Sequence, residues 1–318
     1  MTPSESTPPE STPPERTRHE RTEENRRTRL LATLALVTVT ACWGSTFFLI
    51  KGLLDRVPTL DFLAIRFAIA SLFLVLMAPR ALGRLTRESR RHAIGLGGVY
   101  GLGQILQTAG LAHTPASVSG FITGMYVVGT PLLAAVLLRT RITAMTWLAV
   151  LLATAGLGVL TLDGFSMGYG ESLTLVAAGL YALHIVGLGA WSRPDQALGM
   201  SIIQIMVITV VCFVATVPDG IVVPDQGRDW LSIVYMAVFA GALSMLGQTW
   251  AQAHLPPTRT AIIMTMEPVF AALFAVLLGN EALTSRMAIG GLMVLTAMLL
   301  VELVPRRRVE AEVTHIAG

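Results

Sequence analysis

The sequence predicts an all-α integral membrane protein: ten transmembrane helices in two inverted five-helix repeats. Three observations carry that expectation. Hydrophobic residues make up 53% of the 318 and charged residues only 14%, too little charge to coat a soluble domain of this length. The apolar residues gather in ten runs, most of them about 17 to 23 residues long, which is what a helix needs to cross ~30 Å of hydrocarbon. The third observation is internal repetition, with one segment returning 141 residues further on.

Residues 1–29 are a different material. ESTPPE occupies 5–10 and recurs in overlapping register at 10–15, followed by RTRHERTEENRRTR. With no apolar segment to bury, this stretch is expected to be a disordered cytoplasmic tail. The first run, 30–50, is long for a signal peptide and lacks a clear small-residue cleavage pattern, so it is expected to stay as an uncleaved anchor. The remaining runs are 60–78, 93–112, 116–138, 142–162, 172–191, 199–217, 231–253, 260–279 and 287–304, with a second polar tail at 305–318. Five runs fall in each of two candidate domains, 30–162 and 172–304. Cys42 and Cys212 lie inside runs, in neither disulfide nor metal spacing, and read as small buried hydrophobes.

The arginines orient the chain. With the N-terminus inside, eighteen basic residues fall on the inner side: the tail set Arg16 to Arg29, the group Arg80, Arg84, Arg87, Arg90 and Arg91, then Arg139, Arg141, Arg193, Arg259 and Arg306 to Arg308. Lys51, Arg56, Arg228 and Arg286 fall outside, and Arg66 remains within a span. That bias obeys the positive-inside rule and places both termini in the cytoplasm.

The repeat emerges on shifting the chain by 141 residues, when QTAGLAHTP (107–115) falls on QTWAQAHLP (248–256). Between 107 and 143 twelve of 37 positions are identical without a gap, among them Gln107/Gln248, His113/His254, Met125/Met266 and Thr143/Thr284. A unit of five crossings is odd, so its second copy must enter from the opposite side. Inverted halves of this kind are the architecture with which secondary transporters alternate access, their substrate site lying near the midplane. His113 and His254 then belong at opposite faces, as helix-end residues.

Three stretches carry a family resemblance. ACWGSTFFLIKG (41–52) resembles a first-helix Trp-Gly-Ser signature, and PTLDFLAIRFAIASLFLVLMAPR (58–80) a second helix with Arg66 at a family arginine position. MEPVFAALFAVLLGNEALT (266–284) resembles a ninth helix and the turn after it. Together they resemble the drug/metabolite transporter superfamily, specifically its ten-helix EamA-type members, over roughly residues 31 to 304. The resemblance implies a central cavity lined by helices 1, 3, 4, 6, 8 and 9, and transport of small solutes, usually outward. Two departures stand out: Pro131 sits four positions later than Pro268 in the repeat frame, and Arg139-Thr140-Arg141 stands where many relatives have Gly-Glu.

Polar residues inside the spans are the candidate substrate contacts. An ionisable group at the bilayer centre costs ~2.5–3.5 kcal/mol on insertion scales, so Glu267 must face protein or water. It reads either as a proton or substrate contact, or as a partner for backbone groups freed beside Pro268. Arg66 reads as a structural anchor or as a contact for a substrate carboxylate, and His184 as a satisfied core histidine or a proton shuttle. Trp43, Tyr100, Gln104, Tyr126, Tyr181, Gln248 and Trp250 complete the set, since aromatics with one polar handle suit mixed small-molecule recognition. GLGGVYGLG (95–103) is not a nucleotide loop, because Tyr100 stands where the third glycine belongs and no strand precedes it. Close helix packing through Gly97 and Gly101 is expected instead.

The expected function is a secondary transporter of a bacterial plasma membrane, exporting amino acids, related metabolites or drug-like compounds. Its expected partners are a small-molecule substrate and the lipid bilayer, with a proton or solute gradient as the energy source and a homo-oligomer as an open assembly state. Nucleic acid, metal and cofactor are not expected. The competing readings are a ligand sensor or scaffold without flux and an intramembrane enzyme; the latter lacks H-E-x-x-H, H-x4-D, G-x-S-x-G and G-x-G-D motifs.

Overall fold

The computed structural model describes residues 18–137, 143–163, 166–191, 195–216, 220–255 and 263–303. Arg139, Arg141, Arg193, Arg259, Arg306 to Arg308 and the tail 305–318 lie outside the described residues. Helices dominate: α1 (Arg18–Leu54), α2 (Thr59–Met77), α3 (Arg87–Ala112), α4 (Ala116–Gly124), α5 (Tyr126–Leu137), α6 (Ala144–Thr161), α7 (Tyr169–Trp191), α8 (Ala197–Thr216), α9 (Gly227–Ala237), a π-helical turn (Val238–Leu243), α10 (Ser244–His254), α11 (Met266–Leu277) and α12 (Ser285–Leu303). A two-residue antiparallel ladder pairs Leu162 with Met167 between α6 and α7.

Among the described residues six helical stretches are long and apolar enough to cross a membrane: 26–54, 59–77, 116–137, 169–188, 198–216 and 227–248. Shorter apolar helices cover 144–160, 266–277 and 285–300. The expected third run is helical too, within α3, but its glycines and glutamines dilute it. The surface confirms the solvent: Leu72, Leu76, Leu151, Val214, Leu231 and Leu292 are each more than half exposed, an apolar exterior suited to lipid rather than water.

One expectation is corrected. The N-terminal tail was expected to be disordered to residue 29, yet helix begins at Arg18. The backbone there continues α1 without a break. Pro268 does interrupt its span, as expected: helical residues 263–264 are followed by a turn at Thr265, within the turn before the proline, and α11 begins at Met266. The proline therefore sits in the first turn, where its missing N–H would lack a partner anyway.

Small residues set the packing. α3 lies between α7 and α8, and a Cβ on Gly97 would meet Gln204 Cα at 2.9 Å, one on Gly101 would meet Ile208 Cβ at 3.2 Å, and one on Gly103 would meet Tyr181 Cε1 at 2.8 Å. The glycine-rich stretch is a packing seam, as expected. α1 packs on α10 and α11, α2 on α8 and α9, α4 on α11, α7 on α4 and α5, and α6 on α12.

The helix ends sort into two groups. Lys51 Nζ donates to the carbonyls of Leu111, Ala112 and Thr114 at 3.0, 3.1 and 2.9 Å. Asp61 accepts from Val222 N–H at 3.0 Å, and Arg286 Nε donates to Val159 O at 2.9 Å. Thus the links near 55, 114, 162, 222 and 280 share one end of the bundle. The opposite end holds the turn at 78–86, where a Cβ on Gly199 would meet Ala81 O at 2.7 Å. This alternation agrees with the order of crossings inferred from the arginines.

Candidate functional site

Midway along the bundle a seam of polar and aromatic side chains runs through an apolar core. α3 contributes Tyr100, Gln104 and Gln107 on successive turns of one face, and Gln104 Nε2 donates to Tyr100 Oη at 3.2 Å. α7 presents Tyr181 and His184 to them. The Tyr100 ring lies 5.9 Å from Tyr181 and 5.1 Å from His184, centroid to centroid. Tyr181 Oη donates to Gln107 Oε1 at 2.8 Å, and Gln107 Nε2 donates to Thr123 Oγ1 at 3.0 Å. This relay ties α7, α3 and α4 together, leaving few donors idle in a region where water is scarce.

Glu267 is buried, and its Oε2 accepts from Tyr126 Oη at 3.3 Å. The carboxylate of α11 therefore answers a phenol of α5. His184 pairs with Gln204 Oε1, whose amide donates to Met200 O at 3.2 Å. Arg66 projects from α2 and is only 6% exposed. Its guanidinium carbon lies 5.9 Å from the Phe62 ring centre and 5.2 Å from that of Phe67, and Nε makes no hydrogen bond.

Seven of the ten residues singled out in the sequence therefore lie along this seam: Arg66, Tyr100, Gln104, Tyr126, Tyr181, His184 and Glu267. The other three do not join it through described contacts. Trp43 Nε1 donates to Ala240 O at 2.8 Å, inside the π-helical turn. Gln248 Nε2 approaches Met264 Sδ at 3.8 Å. Trp250 is 41% exposed. Sequence reasoning missed Gln107, Thr123 and Gln204. Gln204 had a signal, as the lone amide in the apolar run SIIQIMVITVV; Gln107 had one too, as the first residue of the recurring segment.

A separate cavity of about 480 Å³ opens at the bundle end that holds Lys51. Its charged lining includes Lys51, Asp55, Arg56, Arg228, Asp229 and Glu281. Arg56 and Asp229 form a two-point pair at 2.9 and 2.6 Å, and this hydrogen bonding raises the already high pKa of the Arg56 guanidinium. The Glu281 carboxylate accepts from Ala116 N–H, from Ser117 N–H at 3.2 Å and from Ser117 Oγ. It caps α4, whose preceding residue is Pro115 and offers no side-chain cap. This cavity lies at the helix ends, away from the central seam.

A model of the EamA-like transporter family matches the chain twice, over residues 30–162 and 168–303. An uncharacterized transporter of Archaeoglobus fulgidus is 30% identical over 280 residues, covering 86% of this chain and 87% of its own. A crystal structure is similar with a TM-score of 0.61 at 20% identity, covering 87% of this chain and 98% of that one. That last likeness concerns the fold alone.

Proposed function

The chain belongs to the EamA-like transporter family, a multi-pass membrane protein, and from that premise we propose a secondary carrier working by alternating access between two inverted halves. Its cargo is a small metabolite, such as an amino acid or related compound, or a drug-like molecule, moved outward across the plasma membrane, with both termini cytoplasmic. A proton or solute gradient supplies the energy.

One observation carries the reading. Tyr126 and Glu267, which bond to each other, are separated by 141 residues, the offset that aligns the two halves. Residues related by a two-fold axis meet each other only where they flank that axis. Other bonds support the same frame. Gln107 reaches Thr123 as Gln248 reaches Met264, and both pairs are related by 141. Thr143 caps α6 through Thr146 N–H as Thr284 caps α12 through Met287 N–H. Helix packing follows suit: α3 on α7 corresponds to α10 on α1, α3 on α8 to α9 on α2, and α1 on α11 to α7 on α5.

The central seam is the proposed cargo site, since it lies where this frame places the midplane and carries most of the polar groups that the spans can spare. Trp43, Gln248 and Trp250 are proposed to border it in another state of the cycle. Purified protein in liposomes is expected to move amino acids or small drug-like solutes, with flux responding to an imposed pH gradient. Intact protein that moves none of a broad panel refutes the carrier reading. Loss of pH-gradient dependence in Glu267→Gln is expected if Glu267 carries the proton; unchanged dependence removes it from that role.

A further inference from the structure

The buried arginine of α2 is left over by every arrangement described so far. Arg66 is 94% buried by area, and among the described residues no carboxylate pairs with it. The nearest candidate acids are committed elsewhere: Asp61 of the same helix accepts from Val222 N–H, Asp229 of the neighbouring α9 pairs with Arg56, and Glu267 of the seam accepts from Tyr126. Nε is occluded without a hydrogen bond. Phe62 and Phe67 lie against the charge, but an aromatic ring compensates a cation without matching the in-plane N–H fork that a guanidinium presents. Tyr100 packs edge-on against Phe67, ring centres 6.4 Å apart, and Tyr181 lies against Tyr100, so the arginine's aromatic neighbours lead directly into the seam.

An unpaired cation inside a bilayer is costly to keep and is retained where something else supplies the counter-charge. Leaving the acid out of the protein keeps a place for one from solution. We propose that Arg66 is the carboxylate seat of the cargo site: the ligand is an organic carboxylate whose anionic group docks on the guanidinium fork, and whose remaining, preferably aromatic, body lies along Phe67, Tyr100 and Tyr181. The planar fork and the planar carboxylate match through two parallel hydrogen bonds, a geometry that a lysine ammonium cannot reproduce. This rests on the carrier reading for the location of the site, but it concerns binding and not movement.

The test uses full-length protein in detergent and three matched acid and amide pairs: 3-phenylpropionate with 3-phenylpropanamide, benzoate with benzamide, and L-phenylalanine with L-phenylalaninamide. Binding is read from intrinsic tryptophan fluorescence. At least one acid should bind ~10- to 100-fold more tightly than its amide, the span of a charge-assisted hydrogen-bonded contact. Arg66→Gln should bring that ratio to within about twofold, and Arg66→Lys should leave an intermediate ratio. Equal binding of acid and amide in all three pairs overturns the seat, as does an acid preference that survives in Arg66→Gln. If the glutamine variant does not fold, an Arg66→Lys protein with an undiminished acid preference overturns it instead. Acid preference without flux of those acids from liposomes refutes the carrier and leaves the seat standing; flux without acid preference does the reverse.

Discussion

Glu281 offers the most direct measure of how the two halves hold each other at the end of the bundle. The start of α4 has two backbone donors, on Ala116 and Ser117, that no residue near them in sequence can satisfy, because Pro115 precedes them. The Glu281 carboxylate takes both, together with the Ser117 hydroxyl. A fully buried hydrogen bond to a charged group contributes ~1.5–3 kcal/mol, and a lost helix cap costs ~0.5–2 kcal/mol. Glu281 is only partly buried, so water can replace some of what is removed. Glu281→Ala should then lose roughly 2–4 kcal/mol, well short of the simple sum of three buried bonds. Glu281→Gln keeps the shape but turns an NH2 toward a donor, and should lose about half as much. At ~2–4 °C per kcal/mol for a chain of a few hundred residues, the alanine variant should melt on the order of 5–10 °C lower in detergent. The measurement is a thermal unfolding curve of purified protein. An alanine variant within about 1 °C of the parent would mean that these bonds do not hold α4, refuting the argument.

Neighbouring glycines of α3 should behave oppositely. Gly97→Val places carbon against the α8 backbone at 2.9 Å and should cost ~1–3 kcal/mol or prevent folding, whereas a Cβ on Gly98 meets nothing within 4 Å, so Gly98→Val should cost much less. Melting temperature and folded yield distinguish the two, and equal losses refute the packing seam. Single thiols placed at Arg87 and Asp225, after Cys42 and Cys212 are replaced, should react with a membrane-impermeant reagent from opposite sides. Labelling from one side in both refutes the alternating order of crossings.

How much of this was legible beforehand depends on which force does the work. Run length and arginine placement report transfer into lipid and need no tertiary structure, so the helices and the alternation of their ends could be read directly. The meeting of Arg66, Tyr100, Tyr181, His184 and Glu267 in one region was foreseeable only as membership, because each is a polar residue in an apolar run. Their pairings were not foreseeable. Tyr181 bonds Gln107 and His184 bonds Gln204, contacts fixed by which faces of α3, α7 and α8 meet across glycine. Pro268 was legible as a breaker: the break falls at Thr265, which leaves the proline in the first turn of the helix that follows. Arg18 to Arg29 were misread because polarity was taken as disorder, although their propensity favours helix.

Glu267 and Tyr126 occupy corresponding places yet carry different chemistry, an acid facing a phenol. Glu267 is also the one carboxylate set deep within an apolar run; every other acid lies in a tail, a link or near the end of a run. Exchange of the halves would thus restore the shape of the scaffold but not its charges. In the carrier proposed above, the cargo would therefore meet unlike surroundings when it enters from one compartment and when it leaves to the other, and its affinities at the two doors would differ within a nearly even-handed frame.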